Sequence, residues 1–385
     1  MFAEELARLD AAGLRRHRRT LDGAQCAHPV VDGKPYIAFC SNDYLGLANH
    51  PALIAAAREG AQQFGVGAGA SHLVLGHARA HEQLEQQLAD FLQLPRALLF
   101  STGYMANIGV VTALLSREDA VFADRLNHAS LNDACLLSRA QFKRYAHNDL
   151  VQLERLLAST RARRKLIAVD AVFSMDGDMA PVPELVNLAE KHEAWLLLDD
   201  AHGFGVLGHR GRGVLEHFNI RHPRVISMGT LGKAAGVCGA FVAGGADVIE
   251  TLVQHARTYV YTTAMPPLLA CALLKSIELI AGGGALRQQL QKNIIQLNQI
   301  LKEIPFPWRL GPSDTAIQPL IIGGNRAALA VTEALGARGI LVPAIRPPTV
   351  PPNTARLRIS LSAAHTADDI RQLGDALRDA AKALT

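Results

Sequence analysis

The sequence predicts an α/β protein with a large, mostly parallel sheet domain and a smaller C-terminal α/β domain. Three observations predict it. Between residues 43 and 275, short apolar runs bounded by turn residues alternate with segments of helical period. The runs at 97–100, 120–122, 165–169, 195–198, 225–228 and 240–243 are nearly continuous rather than alternating, as strands buried on both faces are. A Gly282-Gly283-Gly284 break then sets off a tail in which helix and strand patterns resume.

Taken in order, residues 1–42 read as an N-terminal arm. It holds an amphipathic helix over 3–20 and a strand-like stretch at 35–39 that leads into Ser41-Asn42-Asp43-Tyr44-Leu45-Gly46. Residues 43–275 form the large domain, with polar residues gathered just after the apolar runs. Loops at the carboxyl ends of parallel strands are where such a sheet collects its functional groups. Residues 276–385 form the small domain: a helix to about 303, a strand at 317–322, a helix near 326–338, a strand at 356–361 and a closing helix from 367.

Composition narrows the function. With 385 residues, 49% hydrophobic and 19% charged, the chain is too apolar for disorder. The net charge of +4 is small and its excess is local, in Arg15, Arg16, His17, Arg18 and Arg19, which argues against a nucleic-acid partner. Cys26, Cys40, Cys135, Cys238 and Cys271 stand singly, without the paired spacing of a metal site or redox dithiol. The apolar stretch at 264–274 is too short to span a bilayer and contains Pro266 and Pro267, while Glu4 and Glu5 are foreign to a signal peptide, so a cytoplasmic location is expected with no membrane partner.

The chemistry gathers in three places. Gly229-Thr230-Leu231-Gly232-Lys233 follows the run 225–228, which is where a desolvated amine could form a Schiff base; a surface lysine in a glycine-rich loop reads the same way. Asp199, Asp200 and His202 end the run 195–198, where Asp199 could pair with a protonated ring nitrogen or simply cap a helix. Ser101-Thr102-Gly103-Tyr104 joins a strand to a helix start, a common turn but also a site for phosphate, to which Thr230 would add a hydroxyl.

Five motifs, in order, give these features a common context. Ser41-Asn42-Asp43-Tyr44-Leu45-Gly46-Leu47, Asp124-Arg125-Leu126-Asn127-His128-Ala129-Ser130, Val172-Phe173-Ser174-Met175-Asp176-Gly177-Asp178, Asp199-Asp200-Ala201-His202-Gly203 and Thr230-Leu231-Gly232-Lys233 resemble the α-oxoamine synthases. These are pyridoxal 5'-phosphate (PLP) enzymes of the aspartate-aminotransferase fold, fold type I, and the resemblance runs from about residue 15 to 380. It implies that Lys233 carries PLP as a Schiff base, that Asp199 pairs with the pyridinium, and that His128 stacks on the ring face, where it also meets substrate. It further implies that His202 and Ser174 approach the phenolic oxygen, that Gly103, Tyr104 and Thr230 serve the phosphate, and that Arg358 receives the amino-acid carboxylate.

Within the family, Ala344-Ile345-Arg346-Pro347-Pro348-Thr349-Val350-Pro351 and Thr354-Ala355-Arg356-Leu357-Arg358 resemble the members that join L-alanine to a pimeloyl thioester, carried by CoA or acyl carrier protein, with loss of carbon dioxide. The alternative is a relative that uses glycine and a shorter acyl-CoA. Arg15 and Thr349 are expected to meet the acyl substrate. A homodimer is implied, with residues 261–266 approaching the partner's cofactor and Thr263 as a cross-subunit phosphate contact. Two departures stand out: Asp170 where many relatives carry Glu, and Ser71-His72 where Ser-Arg is common.

Overall fold

The computed structural model describes residues 2–305 and 307–383, so Met1 and the last two residues, at the ends of the expected arm and small domain, and Phe306 lie outside the described residues. The chain forms two compact units, one of residues 50–174 and 179–284, the other of residues 1–49, 175–178 and 285–385.

The first unit is built on a seven-stranded sheet: β1 (Arg96–Phe100), β2 (Ala120–Asp124), β3 (Gln141–Tyr145), β4 (Lys165–Asp170), β5 (Trp195–Asp199), β6 (Val225–Thr230) and β7 (Ala240–Gly244). Their order is β1-β7-β6-β5-β4-β2-β3, and every neighbouring pair is parallel except the two made by β7, which is antiparallel to both β1 and β6. The mostly parallel sheet expected from the sequence is therefore present. Alternation of side chains explains why its strands are apolar throughout: Val121, Leu197 and Ile226 enter the core on one face, while Phe122, Leu196 and Leu198 enter the core on the other. Each such side chain contributes about 1.5–3 kcal/mol on burial.

Strand β3 is the element the apolar pattern does not reveal. It lies at the sheet edge against β2 alone, and Gln141 and Arg144 are exposed, so its residues Gln141-Phe142-Lys143-Arg144-Tyr145 never form an apolar run. The helices α2 (Pro51–Phe64), α3 (Arg79–Leu92), α4 (Gly103–Leu114) and α5 (Ala129–Leu137) belong to this unit. Among the described residues no single helix is long and apolar enough to cross a membrane.

The second unit contains a four-stranded antiparallel sheet of β8 (Arg309–Leu310), β9 (Ile317–Gly323), β10 (Ala344–Ile345) and β11 (Ala355–Ser360), in the order β8-β9-β11-β10. Helices Asn325–Ala337 and Ala367–Ala383 turn Val331, Leu335, Leu373 and Leu377 inward. The arm joins it through a parallel pairing of Ile37–Ala38 with Ile340–Leu341. Its helix α1 (Phe2–Ala11) is shorter than the expected 3–20, because Gly13 adopts a left-handed backbone with φ of 62° and the chain leaves the helix there.

Candidate active site

Five strands of the first unit end at one rim, and the chain just beyond each end lines a cavity of about 170 Å³. From β1 come Gly103 and Tyr104; from β2, His128; from β4, Asp170 and Ser174; from β5, Asp199 and His202; from β6, Thr230 and Lys233. The ladder runs on past the strand ends and fixes these residues: Ala171 N donates to Asp199 O and Asp200 N to Met228 O, both at 2.8 Å. The two neighbouring aspartates at the end of β5 divide their roles. Asp199 faces the cavity, while Asp200 accepts from Val214 N at 2.7 Å and starts the helix Val214–His217.

Lys233 and His202 face each other across the cavity with Nζ 2.9 Å from Nε2, so one proton is held between them. At the cavity floor Asp170 and Asp199 are register partners on adjacent strands. Burial, reinforced by the Asp199 charge, pushes the Asp170 carboxyl well above the usual carboxylate range. Its Oδ2 accepts from His128 N at 3.0 Å, and its buried Oδ1 has no protein partner. Asp199 receives Asn107 Nδ2 at 2.7 Å and Ala201 N at 3.1 Å, a donor set suited to a carboxylate. Partial burial lowers the His128 imidazole below its ordinary value, Asp199 opposes this, and the Lys233 charge adds to it.

The structure thus brings Gly103, Tyr104, His128, Ser174, Asp199, His202, Thr230 and Lys233 together around one cavity. Thr263 is exposed, forms an antiparallel bridge with Ser71, and does not line that cavity. Arg15, Thr349 and Arg358 belong to the other unit. There Arg15 forms an exposed ion pair with Asp10 at 2.6 Å, and it is Arg16 whose guanidinium donates to Thr349 Oγ1, at 3.2 Å. Arg358 is buried and donates to Asn42 Oδ1 at 3.2 Å and Ser360 Oγ at 2.8 Å, which ties it to the Ser41-to-Leu47 motif.

Asn107, Ser130 and the place of Asp170 in the cavity lining are features of the site that sequence reasoning missed. Asn107 reads in the sequence only as a helix residue, since its contacts with Ser130 and Asp199 lie 23 and 92 positions away. The departure at His72 also finds its surroundings: the ring stacks on Tyr259 with centroids 4.8 Å apart, and burial holds it neutral, down to about 3. His72 Nδ1 lies 2.8 Å from His77 Nδ1. Nearby His81 uses both ring nitrogens, towards Ala78 N and Met265 O, which leaves it no lone pair to offer a metal without breaking a bond.

The cavity fits PLP. A methyl group on Gly103 would come within 2.6 Å of Thr230 Cγ2, so only glycine lets the helix start lie this close to the strand end that would share the phosphate. The α4 N-terminus is capped through Thr102, which accepts from Met105 N and leaves earlier backbone N–H groups for an anion. A buried carboxylate stands ready for a cationic ring nitrogen, and an amine stands ready for an aldehyde.

Fold and site together define a PLP-dependent enzyme of fold type I. The chain belongs to the aminotransferase class I and II family, whose model matches residues 34–377. It is similar to 8-amino-7-oxononanoate synthase of Nitrosospira multiformis, 65% identical over 368 residues covering 95% of this chain and 92% of that one. It is likewise similar to the synthase of the same name from Nitrosomonas europaea, 61% identical with 99% of each covered. Among solved structures, serine palmitoyltransferase of Sphingomonas wittichii superposes with a TM-score of 0.94 at 32% identity, covering 100% of this chain and 96% of that one. An 8-amino-7-oxononanoate synthase from Francisella tularensis gives 0.78 at 31% identity, covering 90% and 98%. The resemblance read from the five motifs is borne out.

Proposed function

We propose that this chain condenses L-alanine with a pimeloyl thioester, on CoA or acyl carrier protein, to give 8-amino-7-oxononanoate, carbon dioxide and the free thiol carrier in biotin biosynthesis. The observation that carries the reading is the Lys233 amine, 2.9 Å from His202 and sharing with the Asp199 carboxylate a cavity reached by five strand ends. The names of relatives sharing 65% and 61% of the sequence supply the product, and the resemblance of residues 344–351 and 354–358 supplies the substrates.

PLP, when bound, supplies an electron sink for the pair left behind when the Cα proton and later the carboxylate depart. Lys233 Nζ is the amine that would hold it and the base that would take the Cα proton once alanine has displaced it. For that the amine must be neutral, and His202 Nε2 is near enough to take its proton. Asp199 would be the anion for the ring nitrogen, His128 the flat partner for one ring face, and Ser174 with His202 the pair near the phenolic oxygen. Gly103, Tyr104 and Thr230 serve the phosphate. Arg358 takes the alanine carboxylate, with its guanidinium held in its own unit by Asn42 and Ser360.

A homodimer is part of the proposal. The Ser71–Thr263 bridge joins two segments that leave Val66, Val74, Leu75 and Tyr261 largely exposed, a concentration of apolar surface that a second copy would cover while bringing Thr263 to the partner's phosphate.

The test is thiol release from pimeloyl-CoA by the purified, PLP-loaded protein. Release that needs L-alanine, with an amino-acid-dependent change in visible absorbance, supports the reading. Turnover only with glycine and a shorter acyl-CoA would assign the other branch of the family, and a protein that takes up no PLP would overturn the reading.

A further inference from the structure

Two fully buried polar residues connect the groups expected on the ring nitrogen and on the ring face. Asn107 Nδ2 donates to Asp199 Oδ2 at 2.7 Å and also to Ser130 Oγ at 2.9 Å. Ser130 Oγ in turn lies 2.8 Å from His128 Nδ1, and Ser130 N donates to the same nitrogen at 3.2 Å.

The direction of every bond is fixed by chemistry. A backbone N–H can only donate, so His128 Nδ1 is an acceptor and its neutral ring carries the proton on Nε2. The Asp199 carboxylate can only accept, so the Asn107 amide must turn its NH2 group towards it. Ser130 Oγ accepts from that NH2 group, and its own hydrogen is left for Nδ1. Asn107 holds this orientation although its carbonyl oxygen is buried without a partner, which carries a desolvation cost. A leucine of similar shape would avoid that cost, so packing alone gives no reason for an amide here.

We propose that Asn107 and Ser130 are positioning residues, a relay that holds His128 in its Nε2–H tautomer and ties it to the Asp199 carboxylate, so that the two groups respond as one. The proposal rests on the reading of this cavity as the PLP site and adds to it. The charged groups facing His128 are Asp199, Lys233 and Asp133, with the Asp170 carboxyl behind its backbone N–H.

The experiment follows the ring nitrogens of His128 by NMR in histidine-labelled protein, with and without PLP, the signal being assigned by its loss in His128→Gln. The wild type should show one Nε2–H tautomer. Ser130→Ala keeps the backbone donor, yet should raise the His128 protonation midpoint by about half a pH unit or more. Its kcat should fall about tenfold with KM for L-alanine changed less than twofold, and Ser130→Thr should restore both. Asn107→Leu should move the same signal in the same direction. An unmoved midpoint in Ser130→Ala, or a shift that Ser130→Thr fails to reverse, would overturn the relay. Failure of PLP to bind the wild type would instead count against the cavity's assignment, since the tautomer is read without the cofactor as well.

Discussion

At the scale of single residues, what was legible in the sequence is what ends an apolar strand. Lys233, Asp199 and His202 each stand just beyond a run of buried residues, and a polar group in that place has few structural excuses. Asn107 and Asp170 were not legible, because their meaning lies in neighbours supplied by other strands, and a buried amide or acid looks the same as an exposed one in sequence. Replacing Lys233 by Ala should remove the visible absorbance of the lysine-bound cofactor and lower turnover by at least about a hundredfold, read by spectrum and thiol release on the same sample. A second residue, Glu85, lies outside the cavity and tests burial alone. It is half-buried, accepts from Leu99 N of β1 at 2.9 Å, and is pushed up to about 8 by desolvation. The folded state therefore keeps a proton that the unfolded chain loses near 4.5. Stability contributed by the neutral acid is complete below that value and declines as pH rises through about 8, by on the order of a few kcal/mol. Glu85→Gln should accordingly gain in Tm over the wild type as pH is raised from 5 to 8, and a constant difference would show that Glu85 does not titrate in this way.

At the scale of elements, buried strands announce themselves and exposed ones do not. Strands β2, β4, β5 and β6 read as apolar runs because helices cover both faces, whereas β3 carries Gln141 and Arg144 outward and α1 stops at a glycine whose backbone no periodicity reveals. The junction of β1 with α4 is the element on which the phosphate assignment depends. Gly103→Ala would push a methyl group against Thr230 Cγ2, so the helix start or the end of β6 must move. PLP affinity measured by equilibrium dialysis should fall at least about tenfold, equivalent to the loss of one good hydrogen bond to a charged group, while the far-UV circular dichroism stays that of the wild type.

At the scale of the whole molecule, the sequence conveyed an α/β architecture but not the order of its strands, since apolar runs do not say which will lie side by side. Assembly is the property still open to test. Changing exposed Leu75 to Glu places a charge on the apolar surface beside the Ser71–Thr263 bridge without touching the cavity. It should shift sedimentation from about twice the chain mass to 41.3 kDa and reduce activity with it; a dimer that persists would place the contact elsewhere. The antiparallel strand β7 has a consequence for how this protein is made. Among the described residues strand β1 pairs with β7 and with no other strand, and Ala240 follows Phe100 by 140 residues. At ribosomal speeds of about 5–20 residues per second, the apolar edge of β1 waits roughly 7–28 s for its β7 partner. Throughout that interval the nascent chain presents a ready hold for chaperones and for its own kind, and synonymous codons between positions 100 and 240 set how long it lasts.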